Sequence, residues 1–600
     1  MLVKFAPFPR VGERTSWQQL PQAIKEKLIQ FGEGYLNYQW PTLPATHYMD
    51  YIRVGNRTRF EKLYFKRRQI LATLVLAECV EAQGRFIDDL INGIWLICEE
   101  STWVLPAHNN HQALPNINDE IIDLFQAETG ALLAWSDYLL KSVLDQESPL
   151  ISQRIQDELQ RRIIEPYLKN DYNWSRLANN WNTWINSNCL TVFLLTEMNH
   201  EQKLAGIEKI LNSIDFFLAK YPADGGCDEG PFYWGRAAGS LFDLLEQLYL
   251  ATAGNYSIYD RPIIKNIARY IYQVNIVDDY FVNFADSSGK IAIDAPVVYM
   301  FGKRIDDLCL CSLGARELQR QGIEGLMGAE ILSLFRVLLG LFNYQEMITF
   351  AKENPRYYAP DVWLDRIQVM AAREMANSNQ GFYLAAKGGY NQESHNHNDV
   401  GNFILYYNGE PVIIDVGVGE YTAKTFSEQR YDIWTMQSAY HNLPTISEIQ
   451  QQAGSNYRAQ KVSYSVNKQE VNFALDISSA YPKAANIHYW QRSYALKRTE
   501  QASLLITDQF KLNQAQEITL SFMLCKPVRV NDLGIIHFSI ASNLSMSYDS
   551  NLFAVVLEEI LISDQRLISV WGSKLYRLLL KTKKPVLSGD WTFVIEKIEQ

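Results

Sequence analysis

Phe403-Ile404-Leu405-Tyr406-Tyr407-Asn408-Gly409-Glu410-Pro411-Val412-Ile413-Ile414-Asp415 decides how the second half of this chain folds. Two apolar runs flank Asn408-Gly409, the dipeptide that best tolerates the two consecutive positive φ angles of a type I′ turn, so the stretch reads as a β-hairpin. Pairing about that turn sets Tyr407 against Glu410 and, counting outward, Asn402 against Asp415. Immediately before the hairpin stands Ser394-His395-Asn396-His397-Asn398-Asp399-Val400-Gly401-Asn402, and after it comes Tyr440-His441-Asn442. Three imidazoles and the returning carboxylate of Asp415 therefore share residues 395–441 of a chain with nine histidines.

Neutral imidazole plus carboxylate is the ligand set of zinc and, less selectively, of manganese or iron. Read as an extended segment, His395 and His397 point to one side, as two ligands or as ligand and catalyst. The competing reading is a polar loop whose histidines hydrogen-bond backbone groups, since a His-x-His pair binds metal only when a third ligand joins it.

Outward from the hairpin the period-two pattern continues through Gly381–Lys387, Val462–Asn467, Ser503–Asp508 and Glu517–Met523, separated by Asn, Gly, Asp and Pro turns. That pattern predicts an antiparallel β-sandwich or stacked β-sheets. Upstream, from about residue 15 to about 375, apolar residues recur at helical spacing, as in Phe65–Cys79 and Ile121–Leu133. Further helices are expected near 150–165, 175–197, 202–219, 236–252, 261–274, 305–318 and 328–350. An array of this length is a solenoid or a closed toroid of helical hairpins, and the lack of a fixed repeat speaks against a regular solenoid. The chain is thus expected to be multidomain α+β, with an all-α domain over 1–377 and an antiparallel β-sheet domain over 378–600.

Six hundred residues exceed one compact core, and 47% hydrophobic with 20% charged residues is the composition of a soluble globular protein. A net charge of -11 argues against sequence-independent nucleic-acid binding, while local arginines and amides can still receive a polyanion. The 14 Trp and 34 Tyr mildly favour a carbohydrate ligand, because exposed aromatic faces stack on sugar rings. Seven scattered cysteines without a Cys-x-x-Cys pair do not make a disulfide framework. The N-terminus has no apolar core of signal-peptide length, and no stretch reaches transmembrane length. As written the chain reads as cytoplasmic. Removal of a signal peptide would leave the same appearance for a periplasmic or secreted protein.

Five ordered motifs together resemble the heparinase II/III-like polysaccharide lyases, over most of the chain. They are Glu99–His108, Asn179-Asn180-Trp181-Asn182-Thr183-Trp184, Asp228-Glu229-Gly230-Pro231-Phe232-Tyr233-Trp234-Gly235, Ser394–Phe403, and Tyr440-His441-Asn442. The resemblance implies a helical (α/α) toroid, β-sheets and β-elimination on a uronic-acid-containing polysaccharide. It assigns neutralisation of the uronate carboxylate to Asn179, proton transfer to Tyr233 and a catalytic role, as base or further donor, to His395. It assigns one divalent metal, zinc first and manganese or calcium next, to His397, Asp415 and His441, in an orienting rather than a Lewis-acid role. Asn398 and Asp399 are expected to orient the imidazoles. Asn180, Asn182, Trp181, Trp234, Arg236 and His108 are the candidate substrate contacts. The implied substrates are glycosaminoglycans (hyaluronan, chondroitin sulfate, heparan sulfate or heparin), with alginate or another polyuronate as the alternative.

Each residue also has a plain structural reading. Asn179 and Asn182 fit helix capping, Tyr233 and the tryptophans fit packing, and His108 fits a loop. Two further functional classes stay open at this point. A glycoside hydrolase needs two carboxylates, for which Glu99, Glu100, Asp228 and Glu229 are candidates, and a non-catalytic carbohydrate-binding protein needs none.

Overall fold

The computed structural model describes residues 5–118, 120–328, 333–531, 533–541 and 543–598. The chain divides into two compact units. One comprises the chain through Tyr221 with Gly235–Ala268 and Asp294–Pro355, and the other comprises Pro222–Trp234, Arg269–Ile293 and the chain from Arg356 onward. The long segment of the β-unit thus begins at 356 rather than 378, and the unit also takes two segments from inside the helical half.

The first unit is helical. Asp123 opens the helix Leu124–Glu147 by accepting from the amides of Phe125 (3.1 Å) and Gln126 (2.7 Å), and Ser148 caps Pro149–Leu159, whose proline sits where no amide is needed. Asn180–Leu195, His200–Lys220, Pro262–Gln273 and Leu308–Met327 follow the expected spacing. The last expected helix, 328–350, is described as Leu334–Glu353, and residues 329–332 lie outside the described residues. The array closes on itself. Phe8 and Trp17 near the start pack on Phe342 of the last helix at ring distances of 5.9 and 5.2 Å, which makes a toroid of helices rather than an open solenoid. Arg67 and Arg68 both bind Glu100 in its interior, at 2.9 and 2.6 Å.

The second unit is built of antiparallel sheets. Asp361–Leu364, Val369–Arg373, Phe382–Lys387, Phe403–Tyr407 and Glu410–Ile413 form a five-stranded meander. An eight-stranded sheet runs Gln460–Val466, Glu470–Asp476, Ile487–Lys497, Ser503–Gln516, Val586–Lys597, Leu544–Ser547, Ile535–Phe538 and Val528–Val530. A four-stranded sheet orders Phe553–Leu561, Lys574–Thr582, Ile518–Leu524 and Pro444–Ile446. Side chains from all three sheets, among them Leu384, Phe403, Phe473, Trp490, Leu520 and Leu578, form one buried core.

The hairpin that anchors the sequence reading is present. Asn408 (φ 52°) and Gly409 (φ 82°) make its turn, and Tyr407 pairs with Glu410. Beyond Tyr406–Pro411 the register slips by one residue, so that Leu405 pairs with Ile413. Pro411 has no N–H to give the ladder, which is where a strand accepts a bulge. No described helix is long and apolar enough to cross a membrane. All seven cysteines are free.

Candidate active site

Within the β-unit, catalytic and metal-ligating candidates converge on a carboxylate that the histidine cluster does not announce. Asp286 is fully buried. It accepts from His395 Nδ1 at 2.8 Å, His397 Nε2 at 3.0 Å and Arg430 Nη2 at 2.7 Å, with the Tyr421 hydroxyl at 3.3 Å. The loop that carries it passes two glycines. At Gly230 (φ 86°) a Cβ would come within 2.9 Å of the Ser287 side chain, and at Gly417 (φ 75°) within 2.6 Å of the Ser287 carbonyl oxygen. Only glycine permits both the left-handed backbone and the close approach.

His395 is itself left-handed (φ 54°), so the His-x-His segment is an irregular loop rather than the extended strand expected. The two imidazoles still converge, by bonding the two oxygens of one carboxylate. Because an ionised carboxylate only accepts, Nδ1 of His395 carries a proton, which in the neutral ring leaves the lone pair on Nε2. Asp286, not Asn398 or Asp399, orients the rings. Asp399 instead binds Lys387 at 2.8 Å, and Lys387 also binds Glu393 at 3.0 Å, a buried trio that holds the loop down. Burial by itself would raise the pKa of Asp286. The hydrogen bonds from His395 and His397 and the charge of Arg430 outweigh it and hold the carboxyl well below the ordinary carboxylate range.

Tyr233, in the first turn of the helix Pro231–Ala251, stacks on His395 with ring centroids 4.4 Å apart and shares a 2.7 Å hydrogen bond with the Tyr421 hydroxyl. Burial pushes both phenols above the ordinary tyrosine value, and the proximity of Asp286 adds to the shift in each. Tyr233 is therefore a proton donor at neutral pH, beside a histidine that presents a lone pair.

His397, Asp415 and His441 are all fully buried and offer ligand atoms within 4.8 Å of one another. His397 gives its Nε2 proton to Asp286, and His441 Nδ1 lies 3.1 Å from Asp415 Oδ2. The remaining nitrogens, His397 Nδ1 and His441 Nε2, have no hydrogen-bond partner although buried. Two desolvated imidazole lone pairs beside a carboxylate fit a divalent cation, with the other ring nitrogen of each histidine fixed by a carboxylate. Despite the register slip, Asn402 Nδ2 reaches Asp415 Oδ2 at 2.7 Å, and the Gly417 amide donates to Oδ1 at 2.8 Å. Burial opposes ionisation of Asp415, but His441, His397 and the Gly417 amide hold its carboxyl below the ordinary value.

The remaining candidates belong to other surroundings. In the helical unit, Asn179 stands at the N-cap position of Asn180–Leu195, makes no side-chain cap, and its Oδ1 has no hydrogen-bond partner. His108 is half-buried against Trp181 (4.8 Å) and bonds Asp123 at 2.7 Å, and Arg236 lies over the Trp184 ring at 4.2 Å. Asn182 is removed from the substrate set, because it is fully buried and its amide donates to the carbonyls of Ser175, Leu177 and Ser213. Asn180, at 4% exposure, and Trp234, at 1%, are core residues, so neither offers a face to a sugar. Glu100, held by two arginines, is not available as one of a hydrolase's carboxylate pair.

Residues 367–557 match the family model "Heparinase II/III-like, C-terminal". Among solved structures the chain is similar to heparinase III, with a TM-score of 0.64 and 12% identity over 100% of this chain and 87% of that one. It is similar to the heparan sulfate lyase HepC of Pedobacter heparinus (TM-score 0.58, 12% identity, 98% and 90% covered). It is also similar to a Paenibacillus xanthan lyase (TM-score 0.56, 11% identity, 96% and 57% covered). No curated protein matches the chain. At these identities the structural likeness establishes the shared fold, a helical toroid followed by antiparallel sheets.

Proposed function

We propose that the protein, whose residues 367–557 match the heparinase II/III-like C-terminal model, is a polysaccharide lyase that cleaves uronic-acid-containing glycosaminoglycans by β-elimination. The observation that carries the reading is His395 stacked on Tyr233 at 4.4 Å, with the imidazole bonded to the buried Asp286 carboxylate directly and the phenol linked to it through Tyr421. β-Elimination needs that pair. A base removes the C5 proton, the electrons form the C4–C5 double bond, and an acid protonates O4 as the C4–O4 bond breaks. His395 Nε2 takes the first proton and Tyr233 gives the second. Tyr421, 2.7 Å from the Tyr233 oxygen, is placed to donate to the phenolate that results. Neutralisation of the uronate carboxylate by a hydrogen-bond donor makes the C5 proton removable.

Appearance of the ultraviolet band of an unsaturated uronate, during digestion of a panel of hyaluronan, chondroitin sulfate, heparan sulfate and alginate, is the expected result. Release of reducing ends without that band would indicate hydrolysis, and binding without either would indicate a carbohydrate-binding protein.

The same reading gives His397, Asp415 and His441 one divalent ion, zinc first and manganese or calcium next. Bound there, the ion supplies charge and rigidity to the loop that bears His395. Elemental analysis is expected to find about one metal per chain, and His441→Ala is expected to lower both metal content and melting temperature, because metal binding adds to the stability of the folded state. Full occupancy in folded His441→Ala would exclude this ligand set.

A further inference from the structure

We propose that Arg566 is the receptor for an anionic group of the substrate, a carboxylate or a sulfate ester, beside the Tyr233–Tyr421 pair; the assignment rests on the lyase reading. Position 566 lies beyond the stretch that matches the family model, in the short helix Gln565–Trp571. Asp564 fixes that helix to the loop bearing Tyr421. Its Oδ1 accepts from the Leu567 amide at 3.0 Å and its Oδ2 from the Glu420 amide at 2.8 Å. The Arg566 guanidinium is thereby held 5.3 Å from the Tyr421 ring centroid and 4.9 Å from that of Phe232, the neighbour of Tyr233, which is 43% exposed.

What distinguishes Arg566 is how little it binds. A guanidinium has five N–H donors, and here one of them makes a single 3.3 Å bond to the Asp286 main-chain oxygen, with no carboxylate paired to the charge among the described residues. The other arginine of this site has its charge paired. Arg430 donates to the Asn396 and Thr425 carbonyls at 2.9 Å each and to the Asp286 carboxylate at 2.7 Å. Arg492, in the core of the same unit, is paired with Asp508 at 2.8 Å. Both of those arginines have a carboxylate partner. Arg566 is half-buried between two aromatic rings with its charge uncompensated, and its planar fork matches the oxygens of a carboxylate or a sulfate in bidentate fashion. An anion bound there sits next to the acid that protonates the leaving oxygen, so Arg566 selects which acidic sugar unit is presented to Tyr233.

The test compares wild type, Arg566→Gln and Arg566→Lys on heparan sulfate, chondroitin sulfate and unsulfated hyaluronan, by turnover and by calorimetric binding, with melting temperature as the folding control. Arg566→Gln is expected to raise KM and weaken binding roughly ten- to hundredfold with kcat little changed, as for loss of a charge-assisted hydrogen-bonded pair. Arg566→Lys is expected to recover part of the loss. A defect confined to the sulfated polymers assigns a sulfate, and an equal defect on hyaluronan assigns the carboxylate. Unchanged KM and affinity on every polymer that wild type binds would overturn the assignment. Absence of turnover by wild type on the whole panel would instead overturn the lyase reading, and the binding arm would still decide whether Arg566 receives an anion.

Discussion

Replacing Tyr233 with phenylalanine is expected to lower turnover by about 100- to 10 000-fold, the usual weight of a general acid, while the protein stays folded. The substitution removes one hydroxyl and keeps the ring that stacks on His395 at 4.4 Å. The folded state loses the 2.7 Å contact with Tyr421, a hydrogen bond contributing about 1 kcal/mol. The reaction loses its proton donor to O4. Initial rates from the ultraviolet assay, set beside a thermal melt of the same preparation, separate the two effects. Near-normal turnover in folded Tyr233→Phe would remove Tyr233 from the mechanism.

Asp286→Asn should damage rate and stability together. The amide keeps the shape of the carboxylate but brings two N–H donors to a point where His395, His397 and Arg430 already donate. One imidazole must change tautomer or lose its bond. Where a carboxylate fixes the tautomer of a catalytic histidine, amidation lowers turnover by about four orders of magnitude, and a similar loss is expected here. Removing one member of a buried ion pair costs about 3–5 kcal/mol, so the melting temperature should fall as well. An Asp286→Asn variant with wild-type melting temperature and turnover within a few fold of wild type would show that the convergence on Asp286 has no catalytic consequence.

The parts of this site that are legible in sequence are those that are local in sequence. Asn408-Gly409 specifies its own turn, and the hairpin returns Asp415 toward Asn402 over a few residues, so even a one-residue slip at Pro411 leaves the Asn402–Asp415 bond in place. Asp286 lies 109 residues before His395, in a short loop with no periodicity and no neighbouring histidine, and nothing local marks it as the common acceptor. Arg566, 280 residues after Asp286, is hidden in the same way. Helical geometry accounts for the misplacement of Asn182. Three residues beyond Asn179, it has passed round the first turn into the interior, where its amide caps main-chain oxygens. The domain boundary was displaced because Val369–Arg373 is buried on every residue, so no alternation distinguishes it from an apolar helix.

The make-up of the β-unit bears on how this protein can be dissected. Its residues come from Pro222–Trp234, Arg269–Ile293 and the chain from Arg356 onward, so a single cut in the polypeptide does not separate it. An excised C-terminal fragment beginning at 356 would contain His395, His397, Asp415 and His441 but neither Tyr233 nor Asp286. His395 and His397 would then lack their shared acceptor, and His395 would lack its stacked phenol. A chimera meant to transplant this chemistry has to exchange all three segments at once, and a library that recombines homologues at one crossover near residue 356 would assemble mismatched halves of the same catalytic centre.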